Sequence, residues 1–280
     1  MKLSILLDNN TIIDQYYLGE PGFSAWIGID GQKILFDTGY SNAFLQNAKK
    51  MGIDLIETDT VVLSHGHIDH TWGLIPLARL YAEHDFKMNE KAEERHKAAL
   101  ITHPDSLLSK TFDPGPREAG NLLSMQSLEN LFDLQLSTEP VWITENLLFL
   151  GEVPRKTSFE KPIQLGYTPK GPDFLMEDSA LAARVGDSLV IVTGCSHAGI
   201  CNIVQYAQEL TGIDAIRDIV GGFHLLNPSD ERLHGTVDFL SHLDLDVLHA
   251  CHCTDLRSKV ALGSVLNLEE IGSGSVLEYV

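Results

Sequence analysis

Residues 64–73, Ser-His-Gly-His-Ile-Asp-His-Thr-Trp-Gly, constrain the fold more than any other segment of this chain. Three imidazoles and one carboxylate fall within six residues, at His65, His67, Asp69 and His70. Burying such a cluster without bound cations would desolvate its polar groups and leave the carboxylate unneutralised, which is costly. Imidazole nitrogens and carboxylate oxygens are the usual protein ligands of Zn²⁺ and similar ions. The segment therefore predicts a metal site.

The residues on both sides place this segment on a loop between a strand and a helix. Thr60–Leu63 are β-branched or apolar, which is typical of a buried strand that stops at Ser64. Apolar residues then recur at helical spacing over Leu74–Tyr81. A loop held between two rigid elements can position metal ligands.

The alternation of side chains along the segment predicts that its ligands divide between two ions. Along an extended chain His65 and His67 point the same way, so both can bind one ion. Asp69 and His70 follow where the chain turns, and they can reach a second ion beside the first. A solvated, His-rich loop is the alternative interpretation, but scattered histidines seldom produce this spacing.

The charge balance of the chain narrows the classes of partner. Twenty basic and 39 acidic residues give a formal net charge of −19 over 280 residues. Such a field repels nucleic acid and anionic membrane surfaces, so we expect neither as a partner. We expect a small-molecule substrate, and an anionic one would have to be attracted by bound cations. The oligomeric state stays open.

Cysteine usage and the start of the chain indicate the compartment. The cysteines are Cys195, Cys201, Cys251 and Cys253, and their spacing forms neither a paired zinc-ribbon pattern nor a disulfide framework. The sequence opens without an apolar signal segment and contains no run long enough to cross a bilayer. We therefore expect a cytoplasmic protein with reduced thiols.

We predict one compact domain over residues 1–280 with an α/β (α+β) architecture. Strand patterns occur at 2–7, 24–29, 33–37, 60–63, 98–102, 141–144, 147–150, 181–185, 188–193, 215–220 and 246–250. Helical patterns occur at 41–51, from 74 onward, and at 199–210, 229–241 and 255–261. Hairpins followed by strand–helix units in both halves favour two sheets packed face to face with helices outside. Residues 84–120 are polar or rich in helix breakers and predict a surface excursion, either a lid or a plain loop.

Other histidines at strand ends can complete the site, because two ions need more ligands than one segment supplies. His197 is the strongest candidate, since it stands between a strand that ends at Gly194 and a helix. His252 comes next, and His224 follows a pair of glycines after another strand. His103 follows a weaker strand and ranks below them. A single strand-end histidine is more often hydrogen-bonded structure than ligand, but the repetition favours a shared site.

Four residues, one of them His224 again, are candidates for substrate contact or for support of the ligands. Cys195, beside His197, can supply a thiolate, although a free cysteine is commonly a small buried hydrophobe. Asp37 ends its strand before Thr-Gly, where its carboxylate can orient a ligand imidazole, form a turn, or do both. Arg155 and His224 are candidate anion contacts, and an ordinary surface ion pair explains Arg155 equally well.

These features together resemble the metallo-β-lactamase superfamily, whose His-x-His-x-Asp-His motif is matched at every position of the 65–70 segment. More narrowly, segments 8–11, 19–24, 151–155, 193–199, 221–225 and 251–254 are similar to the branch of 7,8-dihydropterin-6-yl-methyl-4-(β-D-ribofuranosyl)aminobenzene-5′-phosphate synthase-like metallohydrolases. The resemblance implies a four-layer αββα sandwich with the site at one edge, between the two sheets.

The resemblance also divides the ligands between two metals: His65 and His67 for the first, and Asp69, His70 and His252 for the second. Many members of the superfamily have a metal-bridging aspartate after the glycine at position 194, whereas this chain has Cys195, with His197 two residues on. His197 would then fill the role of the superfamily's middle histidine. The bridge is left to Cys195, to water or to nothing.

The expected function is that of a metal-dependent hydrolase with two divalent ions, zinc first and manganese or iron as alternatives. Ions at such a site lower the pKa of bound water to about 7 and polarise the scissile group. Asp69 and His70 are the residues expected to take part in catalysis, on a small phosphorylated or ester-type metabolite. Two alternatives stay open: a metal- or ligand-binding sensor without turnover, favoured by the missing aspartate, and a di-iron redox protein on the same fold.

Overall fold

The computed structural model describes residues 1–89, 96–112 and 117–280. In chain order, the strands within these ranges are β1 (Lys2–Leu7), β2 (Ser24–Ile29), β3 (Gln32–Phe36), β4 (Thr60–Val62), β5 (Ala99–Thr102), β6 (Thr111–Phe112), β7 (Arg117–Glu118), β8 (Asp133–Leu136), β9 (Val141–Trp142), β10 (Leu147–Phe149), β11 (Gly166–Thr168), β12 (Gly171–Asp173), β13 (Ala180–Val185), β14 (Ser188–Thr193), β15 (Ile216–Gly222), β16 (Leu245–Cys251) and β17 (Val276–Glu278). The α-helices are α1 (Ala43–Lys50), α2 (Ile68–Thr71), α3 (Leu74–Asn89), α4 (Met125–Leu131), α5 (Ile200–Thr211), α6 (Asp230–Ser241) and α7 (Leu256–Gly263).

Two large β-sheets form the centre of the fold. The first has the strand order β17-β1-β2-β3-β4-β5-β8, and the second has the order β16-β15-β14-β13-β10-β9. In each sheet an antiparallel hairpin leads into parallel strands, β3-β4-β5-β8 in the first and β14-β15-β16 in the second. Helices make the connections between the parallel strands, as such crossovers require. The carboxyl ends of these parallel strands therefore lie along one edge of each sheet.

Side-chain alternation along the strands builds three hydrophobic layers. In β14, Val190 and Val192 face the first sheet, while Leu189 and Ile191 pack under α5, α6 and α7. A third layer joins the other face of the first sheet to α1, α3 and α4, with Leu35 among its members. The order of layers is helix, sheet, sheet, helix, which confirms the predicted α/β (α+β), αββα sandwich.

Local sequence signals account for where several elements begin and turn. Asp30 and Gly31 both have positive φ, as a tight hairpin between β2 and β3 needs. Ser229 and Asp255 accept hydrogen bonds from the backbone N–H groups of the first turns of α6 and α7. Gly212 ends α5 in the left-handed conformation.

The structure adds elements that the sequence patterns did not predict. A third sheet of four short strands has the order β12-β11-β6-β7, and α4, β8 and β17 were also missed. The predicted excursion at 84–120 lies partly outside the described residues, and its described part includes β5, β6 and β7. Among the residues that the structure describes, none of the helices has the length and apolar character needed to cross a bilayer.

Gly73 lets the turn between α2 and α3 pack directly on the end of β3. A Cβ at this position would lie 1.8 Å from the carbonyl oxygen of Thr38. We expect Gly73→Ala to lower the free energy of unfolding by about 1–3 kcal/mol, because such overpacking forces the backbone apart. Gly28→Ala is the control, since a Cβ there has nothing within 4 Å. Equal urea midpoints for the two variants would contradict this account.

Candidate metal centre

The ends of six strands bring the predicted residues to one place between the two sheets. The residues that follow these strands and reach the site are Asp8 and Asn9 after β1, Asp37 after β3, His65 and His67 after β4, Cys195 and His197 after β14, His224 after β15, and His252 after β16. All of the predicted metal ligands therefore lie together. Residues up to 244 positions apart in the chain share one site because the strands end at the same edge.

Unusual backbone conformations occur where these strands end. Asp37, Ser196, His224 and His252 have φ angles of 54°, 59°, 49° and 50°, in the left-handed region that non-glycine residues rarely adopt. Each turns the chain sharply as it leaves its strand. Strained positions of this kind persist where the surroundings hold them, and they cluster at functional sites.

The first candidate group of ligands consists of His65, His67 and His197. Their ligand atoms lie within 4.8 Å of one another, and all three side chains are buried. His65 Nε2 is 3.2 Å from His67 Nδ1. The Nε2 atom of His197 is buried and has no hydrogen-bond partner among the described residues. A buried imidazole nitrogen that has no hydrogen-bond partner and lies beside two others fits the role of a metal ligand.

The second candidate group consists of Asp69, His70 and His252. The two imidazoles face each other with their Nε2 atoms 3.2 Å apart. An oxygen of Asp69 lies 3.8 Å from His70 Nε2 and 3.5 Å from His252 Nε2. Asp69 is the partly exposed member of this group, with 27% of its side chain accessible, so its carboxylate marks the open side of the site.

Cys195 lies between the two groups. Its Sγ atom is 3.1 Å from His252 Nε2 and 3.3 Å from His70 Nε2, and it also falls within 4.8 Å of the ligand nitrogen of His65. Burial raises the pKa of the Cys195 thiol, so the thiol stays neutral unless a cation stabilises the thiolate. Cys195 thus occupies the position from which a single atom can reach both groups.

Hydrogen bonds to the Nδ1 atoms, on the side away from the site, fix the orientation of the ligand imidazoles. The buried carboxylate of Asp37 accepts from His70 Nδ1 at 2.7 Å, and from the backbone N–H and the hydroxyl of Ser64 at 2.7 Å each. The Ser64 hydroxyl in turn lies 2.9 Å from His65 Nδ1. On the other side, His252 Nδ1 lies 2.9 Å from Asn9 Oδ1. Each contact leaves the Nε2 atom of its histidine free to face the site.

The pKa shifts follow from burial and from the carboxylates. Burial lowers the pKa of His67 to about 3 and moves the pKa values of His65 and His197 well below their usual range, which keeps these imidazoles neutral. Burial also opposes charge on His70, but Asp69 and Asp37 outweigh it and raise its pKa to about 9. The carboxylates of Asp69 and Asp37 therefore favour a positive charge in the second group.

The spacing of these atoms fits a shared cation. Ligands bonded to one tetrahedral Zn²⁺ at about 2.0–2.3 Å lie roughly 3.3–3.7 Å apart. The closest contacts within the two groups and between them and Cys195, 3.1–3.3 Å, are near this spacing. Imidazoles, one carboxylate and one thiol are a donor set suited to zinc and related ions.

Other candidates from the sequence lie outside the ligand groups. Arg155 donates to the carbonyl oxygens of His197 and Leu175, so it supports the loop of His197. It does not form, with any residue that the structure describes, the surface ion pair that was an alternative for it. The ring centroid of His224 is 4.2 Å from that of His197, which places it against a ligand. His103 accepts a backbone N–H from Asp105 in a separate turn.

Sequence reasoning gave no role to several residues that support the site. Asp8 accepts the backbone N–H of His252 at 2.7 Å, beside the contact made by Asn9. Asp178 accepts the backbone N–H of Ala198 and lies 3.8 Å from His65 Nδ1, and burial raises its pKa to about 7. Asp8 and Asn9 could have been identified from their position at the end of a strand, because the same position identified the histidines.

Sequence comparison places the chain among known proteins. The family model of the metallo-beta-lactamase superfamily matches residues 18–208. An uncharacterised protein of Methanocaldococcus jannaschii is 32% identical over 272 residues, which cover 95% of each chain. The 7,8-dihydropterin-6-methyl-4-(beta-D-ribofuranosyl)-aminobenzene-5'-phosphate synthase of the same organism is 27% identical over 298 residues, covering 100% of this chain and 97% of that protein.

Comparison with solved structures agrees with the match to the family model. A crystal structure described as a metal-dependent hydrolase of the beta-lactamase superfamily superposes with a TM-score of 0.81 at 28% identity, covering 99% of this chain and 98% of the other. Zn²⁺-bound PqqB from Methylobacterium extorquens shares the fold, with a TM-score of 0.56 at 12% identity over 99% of this chain and 100% of that chain. The predicted resemblance to this superfamily and to its synthase-like branch is confirmed.

The contact between Asp37 and His70 gives a test of how the ligands are oriented. Asp37→Asn keeps the shape of the side chain but removes the charge, so we expect metal affinity to fall about 10–100-fold. Asp218→Asn is the matched control, because Asp218 forms a buried pair with His249 outside the site. Competition with a chromogenic chelator measures both affinities. Equal losses in the two variants would show that Asp37 acts only through stability.

Proposed function

Because the chain belongs to the metallo-β-lactamase superfamily, we propose that it is a metal-dependent hydrolase that acts through a dinuclear centre on a small phosphorylated or ester-type metabolite. One observation carries the proposal: two adjacent ligand groups, His65–His67–His197 and Asp69–His70–His252, each with three ligand atoms within 4.8 Å. Zinc is the first choice for both ions, with manganese and iron as alternatives that elemental analysis distinguishes.

The side chains have separate tasks in this proposal. Divalent ions held by the two groups would supply Lewis acidity and acidify water near neutral pH. Asp37 holds His70 in the tautomer that presents Nε2 to the ion. Asp69, on the open side, can accept a hydrogen bond from the attacking water and keep it oriented. Burial of the remaining ligands excludes bulk water and strengthens every electrostatic contact inside.

A second candidate function is a coupling reaction, and the relative that is 27% identical and named a synthase favours it. The two reactions differ in the fate of water, because hydrolysis places a solvent oxygen in a product. Turnover in H₂¹⁸O of substrates drawn from phosphoesters, thioesters and lactones distinguishes them by mass spectrometry. Labelled product supports the hydrolase, whereas the absence of turnover across the panel by metal-loaded protein contradicts it.

Replacement of Asp69 separates an enzyme from a binding protein. We expect Asp69→Ala to reduce kcat at least 100-fold, since the second ion and the water lose a carboxylate, while a competitive product or analogue still binds. Asp238→Ala serves as the control, because its carboxylate lies exposed on α6. Initial rates and calorimetric binding supply the two readouts. Unchanged turnover with altered ligand affinity would favour the sensor interpretation.

In this proposal Cys195 binds as a thiolate between the two groups, in the position where many other members of the superfamily have aspartate. Cobalt-loaded protein should therefore show a sulfur-to-cobalt charge-transfer band that is absent from Cys195→Ser. Cys201→Ser is the matched control, because Cys201 is buried in α5 away from the site. A band that survives in Cys195→Ser but disappears in Cys253→Ser would assign the ligand to Cys253 instead.

A further inference from the structure

Two of the four thiols meet at the edge of the candidate metal centre. Cys195 follows β14, and Cys253 follows β16, 58 positions further along the chain. Their Sγ atoms lie within 4.8 Å of each other and of a ring nitrogen of His252. Cys253 Sγ also lies 3.4 Å from the carbonyl oxygen of Cys195 and accepts the backbone N–H of His224 at 3.2 Å. The proposed hydrolase uses Cys195 but gives no task to Cys253.

A glycine makes room for this pair of thiols. In the second sheet β15 lies between β14 and β16, so residues that follow the two outer strands meet only across the end of β15. Gly222 is the last residue of β15, and a Cβ there would lie 2.5 Å from the carbonyl oxygen of Gly194 and 2.7 Å from Cys253 Sγ. The missing side chain therefore leaves the space in which Cys253 Sγ approaches Cys195.

The two thiols differ in their access to solvent. Cys195 is only 5% exposed, whereas Cys253 is partly exposed, and Cys201 and Cys251 are fully buried. Cysteines that respond to oxidants are typically accessible and lie beside a second thiol that resolves the oxidised form into a disulfide. Cys253 fits the first of these roles, and Cys195 fits the second.

We propose that Cys195 and Cys253 form a reversible disulfide when the protein meets a peroxide, and that this disulfide weakens metal binding at the adjacent centre. The sulfur atoms of a disulfide are about 2.05 Å apart, so rotation of the two side chains and adjustment of their loops must close the remaining distance. The effect on metal binding rests on the proposed function. The formation of the disulfide does not depend on it.

The oxidation balances with one peroxide for each disulfide. The thiol of Cys253 attacks hydrogen peroxide, the O–O bond breaks, one water leaves, and Cys253 becomes a sulfenic acid. The thiol of Cys195 then attacks this sulfur, the S–O bond breaks, and the hydroxyl group leaves as a second water with the proton of Cys195. The two thiols lose two electrons in total, and the peroxide gains them.

Oxidation and metal binding compete for one sulfur atom. Cys195 Sγ lies 3.1 Å from His252 Nε2 and 3.3 Å from His70 Nε2, where a thiolate can reach an ion held by these imidazoles. A sulfur in a disulfide carries no negative charge, and the thiolate is the form that binds metals. Closing the disulfide would therefore remove a ligand from the proposed centre.

Thiol counting on metal-free protein tests the disulfide. After a small excess of hydrogen peroxide, we expect two of the four thiols to become unreactive towards maleimide in denaturant, and dithiothreitol to restore them. Peptide mapping should link Cys195 to Cys253. Cys253→Ser should give no linked peptide, whereas Cys201→Ser, the matched control, should give the same link as wild type.

The map of the wild-type protein identifies the pair even if Cys253→Ser fails to fold, and Cys195→Ser removes the link from the other side. Four reactive thiols after peroxide treatment would overturn the disulfide. So would a loss of thiols that dithiothreitol does not reverse, as in a sulfinic acid, or a link between any other pair.

Competition for zinc with a chromogenic chelator tests the second part of the proposal, after gel filtration has removed the reagents. We expect the oxidised wild-type protein to bind zinc about tenfold or more weakly than the reduced protein, because losing a group that only supports a ligand already costs 10–100-fold. Reduction should restore the affinity. Equal affinities of the two forms overturn the effect on metal binding. Protein that takes up no metal in either form overturns the proposed function, while the thiol count, obtained without metal, still decides the disulfide.

Discussion

The buried carboxylate of Asp37 is the interaction on which the rest of the site depends. It accepts three hydrogen bonds, from the backbone and hydroxyl of Ser64 and from His70 Nδ1, and none of its surface reaches solvent. The Ser64 hydroxyl donates to Asp37 and accepts from His65 Nδ1, so one charge orients imidazoles of both ligand groups. Because that charge is buried, cations bound on the far side of His70 would offset the cost of its desolvation. In the proposed metal centre, structure and metal binding would therefore be coupled through this side chain.

Close approach of the two sheets is the second requirement. Gly194 ends β14 where a Cβ would lie 2.2 Å from Ser64 Oγ and 2.6 Å from Asp37 Oδ2. The absence of a side chain lets the second sheet bring Cys195 and His197 against ligands carried by the first sheet. The proposed dinuclear centre would need such a contact, because neither sheet alone supplies all the residues of either candidate ligand group.

Local sequence patterns predicted much of the fold and of the site. Contacts between residues that lie far apart in the chain could not be predicted from such patterns. The fold was predicted from the 64–73 segment and the alternating strands. The repeated histidines at strand ends identified the imidazoles that meet at the site. The contact of Asn9 with His252 joins residues 243 positions apart, and only the packing of the two sheets, with β1 in the first and β16 in the second, brings them together. The short strands of the third sheet carry too few residues to show a period.

The net charge of −19 and an anionic substrate for the proposed metal centre are compatible because they act over different distances. At physiological ionic strength the Debye length is about 8 Å, so surface carboxylates beyond that distance are largely screened from a ligand inside the site. Cations held by the two ligand groups would act at contact distance in a medium of lower dielectric, where each interaction is stronger. A polyanion would meet the acidic field with many charges at once, whereas a ligand with one anionic group would meet little of that repulsion.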